Sequence, residues 1–220
     1  METFHINDSN FLGYLALPRA GKGPGLLLFH AWWGLNEFIV QTCGRLAAEG
    51  FVILAPDYYA GETAAAIDEA KKLRQQMDRN ATKKLIDLAI DYLVSHPATK
   101  KPHIGTIGFS LGASFAIEAA RRKNKSVNAV VVFYGSGGGN FDKTDASFMG
   151  HFAENDQWGA HAKKIAALKD RIQGANQGVN FYTYPETEHW FFETDRPEYH
   201  QEASELAWER TITFLKNILG

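Results

Sequence analysis

A serine hydroxyl is a poor nucleophile at neutral pH unless a base withdraws its proton and nearby donors meet the charge its attack creates. Ser110 stands where both conditions can be met. It lies in Gly108-Phe109-Ser110-Leu111-Gly112, after the apolar run 104–109 and ahead of the small, helix-forming residues 111–122. That order reads as strand, sharp turn and helix, which lifts a serine out of the sheet and aims the positive end of a helix dipole at it. Gly108 and Gly112 are required because a side chain at either place would strike the neighbouring strand or helix.

The base and the acid that orients it must come from elsewhere. In this type of arrangement the order along the chain is Ser, acid, His. Of eight histidines, His189 fits best: it follows the last strand-like run and precedes the closing helix, in Pro185-Glu186-Thr187-Glu188-His189. His5 and His103 fall at strand beginnings or edges, His96 at a helix end, His151 inside a strand, and His161 and His200 on helices, all of which suit structural or solvated roles. His30 ends a strand on the correct side but precedes Ser110, so it is assigned to the pocket wall or to a hydrogen bond that orders a loop. Asp156, in Glu154-Asn155-Asp156-Gln157-Trp158, follows the strand-like run 147–153 and is the candidate acid. Glu154 is its rival. Asp142 and Asp145 would serve only if the acid had moved to the previous loop, and Asp156 itself could merely cap the next helix.

The oxyanion needs two donors. One is the backbone N–H of Leu111, the residue after the nucleophile; the other is the N–H of Trp32, in the loop Ala31-Trp32-Trp33-Gly34-Leu35-Asn36. Loop position places Trp33, Trp158, Trp190 and Phe191 around the substrate, although either indole of the Trp32–Trp33 pair would serve equally well as core under the helix that follows.

These groups need a frame that gathers them at one edge. Runs 4–6 and 11–17, separated by Asn-Asp-Ser-Asn, read as an antiparallel hairpin at a sheet edge. Runs 26–30, 51–56, 104–109, 127–134, 147–153 and 179–184 read as strands, the most continuously apolar of them as strands buried on both faces. Helical patterns fall at 36–49, 64–78, 81–95, 111–122, 158–172 and 199–219. The alternation indicates one α/β domain over residues 1–220, with a mostly parallel, doubly wound sheet of seven or eight strands, helices on both faces and no large lid domain. The glycine run 135–139 lacks a Gly-Lys-Ser/Thr ending and reads as a plain loop rather than a phosphate cradle.

Composition sets outer bounds. A chain of 220 residues that is 45% hydrophobic can bury a large core. A net charge of −2, with no basic run longer than Arg121-Arg122-Lys123, argues against nucleic acid as a partner. The absence of a leader-like N-terminus or a long apolar stretch gives the cytoplasm, with no membrane contact, as the expectation. A single cysteine, Cys43, excludes an internal disulfide and a cysteine-rich metal site, and its helical context marks it as a packed residue.

With these residues in place the chain resembles the dienelactone hydrolase family, a compact branch of the α/β-hydrolases. The resemblance runs nearly end to end through His30-Ala31-Trp32-Trp33-Gly34-Leu35-Asn36, Gly50-Phe51-Val52-Ile53-Leu54-Ala55-Pro56-Asp57-Tyr58-Tyr59, Gly108 to Gly112, Asp156 and His189. Three departures matter. The family commonly has a cysteine nucleophile where this chain has Ser110, and a glutamate that partners the cysteine where this chain has Ala31. The two changes agree, since a serine activated by His189 has no use for a carboxylate that manages a thiol. The family also holds a carboxylated lactone with arginines, one of them four residues beyond the histidine. Here that place is Glu193, with Arg196 the nearest alternative.

The residues and the resemblance together imply a serine hydrolase that cleaves a small carboxylic ester or lactone with the Ser110, His189 and Asp156 set, through an acyl-enzyme, without a cofactor or metal, as a monomer or homodimer. A thioesterase or carbon–carbon bond hydrolase with the same triad, or a slow-turnover ligand-binding relative, are the alternatives. Glu193 would repel a carboxylate, so neutral short-chain esters are expected to outperform dienelactones.

Overall fold

The computed structural model describes residues 2–6, 9–123, 125–175 and 177–220. An eight-stranded sheet runs in the order β1-β2-β4-β3-β5-β6-β7-β8. β1 (Glu2–Ile6) and β2 (Ser9–Ala16) form the expected antiparallel hairpin, and β2 lies antiparallel to β4 (Val52–Pro56). Residues 7 and 8, part of the expected turn, lie outside the described residues. β3 (Gly23–Phe29), β4, β5 (Thr99–Phe109), β6 (Val127–Phe133), β7 (Ser147–Asn155) and β8 (Val179–Glu188) are parallel.

Strand pleating sends successive side chains to opposite faces, which explains both apolar layers. Leu26, Leu28, Ile53, Ala55, Ile107 and Val131 pack with α1 (Glu37–Ala48) and α6 (Gln201–Leu219) on one face. Leu27, Phe29, Leu54, Val130 and Val132 pack on the other with α3 (Arg79–Ser95), α4 (Leu111–Arg122) and α5 (Ala162–Gly174). The doubly wound α/β sheet is thus as expected. α2 (Ile67–Gln76) buries only Ala70 and lies, with α3, between β4 and β5.

Several boundaries differ from the sequence reading: β3 and β5 begin earlier, at Gly23 and Thr99, and α2 runs only over Ile67–Gln76. Two more, beside the site, differ for a local reason. α5 begins at Ala162 and not at 158, because the Asp156 carboxylate draws the N–H groups of Trp158 and Gly159 into a turn and Gly159 sits at φ 140°, outside helical space. β8 continues past residue 184 to Glu188, because pairing with β7 resumes after an irregularity, with Asn155 opposite Glu188.

From β3 the chain winds outward to β4 and then crosses back to β5, so the strand order reverses between β3 and β5. The loops beyond their carboxyl ends part there and leave a crevice. Trp32 follows β3 and Ser110 follows β5, so the switch point opens at these two residues.

Candidate active site

Ser110 occupies the strained turn that the motif implies, at φ 49° and ψ −107°, immediately before α4. The glycines on either side admit no alternative. A Cβ on Gly108 would lie 2.3 Å from the Gly112 carbonyl oxygen, and one on Gly112 would lie 2.2 Å from that of Phe29, on β3. The Ser110 N–H donates to the Phe133 carbonyl at 2.9 Å, which ties the turn to β6.

Register then delivers the partners. With Asn155 opposite Glu188 at the ends of the two strands, the residues that follow them are Asp156 and His189. The Ser110 Oγ lies 2.8 Å from His189 Nε2, and His189 Nδ1 lies 2.6 Å from Asp156 Oδ2. A carboxylate only accepts, so Nδ1 carries the proton and Nε2 turns its lone pair to the serine hydroxyl. The second oxygen of Asp156 accepts from the Trp158 N–H at 2.7 Å and the Gly159 N–H at 3.0 Å. Asp156 therefore caps a turn and holds the histidine at once. Burial works against its charge, but the His189 bond, the attraction of that ring and the two N–H groups hold the carboxyl below the usual carboxylate range.

The structure separates the rivals. Glu154 is exposed and accepts the Glu186 N–H at 2.9 Å. His151 is buried, bonded to the Tyr184 hydroxyl and Thr211, and pushed down to about 3 by burial and by Arg210, so it is a neutral core residue. His161 and His200 stand just ahead of their helices as N-caps rather than on them. Cys43 is buried with its thiol pushed well up by desolvation, as suits a packed residue.

Ser110, Leu111 and His189 line a cleft of about 420 Å³ with Trp32, Trp158 and Trp190. Among the described residues no acceptor takes the backbone N–H of Trp32 or Leu111. Trp158 is 46% exposed and packs on Trp32 and Trp190 at ring separations of 5.3 and 5.1 Å. The other three residues assigned to the pocket lie behind this wall. Trp33 is buried against Trp190, and Phe191 is buried between Tyr134 and Tyr184. His30 is wholly buried and stacks on Tyr58, whose hydroxyl donates to the His30 carbonyl, while its Nδ1 lies 2.7 Å from the Ala31 carbonyl; of its two assigned roles, it has the loop-ordering one. Among the described residues no group of three or more His, Cys, Asp or Glu could hold a metal ion, and no helix is long and apolar enough to cross a membrane.

The reading of Glu193 is corrected. Its side chain does not face the cleft: it is buried behind the histidine and accepts the Tyr134 hydroxyl at 2.9 Å, with the Tyr134 ring 5.0 Å from that of His189. Burial first, and the neighbouring acids Asp195 and Glu198 second, push the Glu193 carboxyl up to about 8. Mostly neutral and out of contact, it supplies no repulsion to a bound carboxylate. Arg196 does not replace the missing arginine either, because its guanidinium lies 4.0 Å over the Trp33 ring and donates to the Ala65 carbonyl.

A raised acid makes a signed prediction. The folded protein holds a proton on Glu193 that the unfolded chain releases above its ordinary carboxylate range, so stability falls as pH rises from about 4.5 to about 8. The slope from this group is at most about 1.4 kcal/mol per pH unit. Glu193→Gln, which can still accept the Tyr134 hydroxyl, should flatten this part of the profile. Urea unfolding at several pH values checks it, and equal slopes for both proteins would refute it.

Three residues of the cleft wall carry no signal in the sequence: Arg74, Arg79 and Lys164. Tyr134, also on the wall, was not singled out, although its place just after the carboxyl end of β6 is the signal that could have found it.

The sheet order and the serine turn at its switch point define an α/β-hydrolase. A dienelactone hydrolase-like promiscuous phosphotriesterase from metagenomic libraries has the same fold, with a TM-score of 0.84 at 20% identity over 97% of this chain and 95% of that one. A protein named putative dienelactone hydrolase from Klebsiella pneumoniae matches at 0.81 and 21% over 94% and 93%. The model of the dienelactone hydrolase family matches residues 11–219, and the chain belongs to that family. Among curated relatives, Protein usf of Aquifex pyrophilus is 29% identical over 100% of this chain and 98% of its own length. A probable 2-oxo-3-(5-oxofuran-2-ylidene)propanoate lactonase of Bradyrhizobium is 27% identical over 96% and 90%.

Proposed function

We propose that this chain is a serine hydrolase of small carboxylic esters or lactones that works through an acyl-enzyme. Ser110 attacks the acyl carbon while His189 Nε2 takes its proton. The tetrahedral oxyanion is met by the N–H groups of Leu111 and Trp32, and His189 returns the proton to the departing alkoxide. Water then repeats the sequence on the acyl-serine. Asp156 keeps His189 in the required tautomer throughout. Nucleophile, base and acid are all side chains, so the proposed mechanism calls on no metal or cofactor.

The observation that carries this reading is the unbroken line from Ser110 Oγ through His189 to Asp156, at 2.8 and 2.6 Å. The lactonase name of the Bradyrhizobium relative supports the substrate class. The test is labelling with a fluorophosphonate followed by mass mapping. A single adduct on Ser110 is expected, and an intact protein left without adduct, or with one elsewhere, would refute the reading.

A further inference from the structure

The cleft around Ser110 carries charge of one sign. Its wall includes Arg74, Arg79 and Lys164 and neither aspartate nor glutamate, in a chain whose net charge is −2. All three cations are exposed. Elsewhere on the surface Lys83, Arg122, Lys123 and Lys216 each pair with a carboxylate, but among the described residues none pairs with these three. A concave wall of one sign concentrates counter-charged ligands and orients them.

The cations also come from two directions. In the sheet β4 and β7 lie on opposite sides of β5, which delivers Ser110. Arg74 and Arg79 belong to α2 and α3, which follow β4, whereas Lys164 belongs to α5, which follows β7. The glycine loop after β6 lines the cleft on the Lys164 side. Its Gly137 and Gly138 carbonyls accept from Arg171 and Arg121, and the N–H groups of the same two trans peptides, on Gly138 and Gly139, point the opposite way and have no partner among the described residues. The expected plain loop is thus, through residues 135–138, a wall of the cleft.

An ester bound for attack has its acyl half on one side of the serine and its alkoxy half on the other. We propose that this cleft selects esters bearing an anionic group on each half, one held by Arg74 and Arg79 and the other by Lys164 with the glycine loop. The inference rests on Ser110 being the nucleophile and goes beyond that reading by assigning the substrate's charge and the residues that select it. Glu193, buried behind His189, does not oppose it.

Four aryl esters test it: phenyl acetate, phenyl hydrogen adipate with a carboxylate on the acyl half, 4-acetoxybenzoate with one on the leaving half, and 4-carboxyphenyl hydrogen adipate with both. At low salt each carboxylate should raise kcat/KM by about five- to tenfold over its neutral counterpart, with the doubly charged ester best and the gains shrinking as salt rises. Lys164→Gln should remove the gain from one carboxylate, and the double variant Arg74→Gln/Arg79→Gln the gain from the other, read as the ratio of charged to neutral ester in each protein. Lys164→Glu guards against trivial damage, since it should turn the preference on its half toward a cation, carried by a choline ester on the alkoxy half or by phenyl 6-(trimethylammonio)hexanoate on the acyl half. A neutral ester that matches the charged ones, or variants that all erase the same single gain, would overturn the proposal. Fluorophosphonate labelling of Ser110 separates the two readings: with labelling intact only the charge assignment falls, and without it the hydrolase reading falls too.

Discussion

Ser110→Ala should lower ester hydrolysis by roughly three to six orders of magnitude, since only binding and the oxyanion donors would remain to act on substrate. The fold should be unchanged. Among the described residues the hydroxyl has one hydrogen bond, with His189, and the turn is held by the backbone bond to Phe133 and by the glycines around it. Turnover of a p-nitrophenyl ester and thermal unfolding of the same preparation check both halves. An alanine variant that keeps more than about a tenth of wild-type turnover would move the nucleophile elsewhere.

Asp156→Asn should reduce turnover by about four orders of magnitude while the protein still folds and binds substrate. The reason lies in the turn beside it. The N–H groups of Trp158 and Gly159 claim one oxygen of the carboxylate, so the asparagine carbonyl will settle there and its amide nitrogen will face His189. An N–H opposite Nδ1 forces the proton to Nε2, which then points a hydrogen at Ser110 in place of a lone pair. Glu154→Gln should do far less, because that carboxylate reaches the Glu186 backbone and not the histidine. Steady-state kinetics on the two variants decide between them, and the reverse ranking would transfer the role to Glu154.

Much of this protein is written in local pattern. The apolar runs identify the strands because a parallel sheet covered on both faces demands continuous burial, and the chain order of serine, acid and histidine is the one this type of fold uses. Gly108 was legible because its reason is local: the turn brings the Gly112 carbonyl to 2.3 Å from where its side chain would begin, whereas Gly112 was read from the motif and its close neighbour is Phe29 on β3. Tertiary structure decided what depends on register and on which way a side chain leaves its strand or loop. The irregularity between Ala153 and Asn155 selects Asp156 over Glu154, since it brings Asn155 opposite Glu188 and so sets the following residue beside His189. Glu193 was expected to face the substrate from its place four residues after His189, yet it is buried against Tyr134, and Arg196 lies on Trp33. Spacing along a loop does not report direction. The cations of the cleft were the least legible of all, because Arg74, Arg79 and Lys164 stand on three different helices that only the folded sheet brings around one serine.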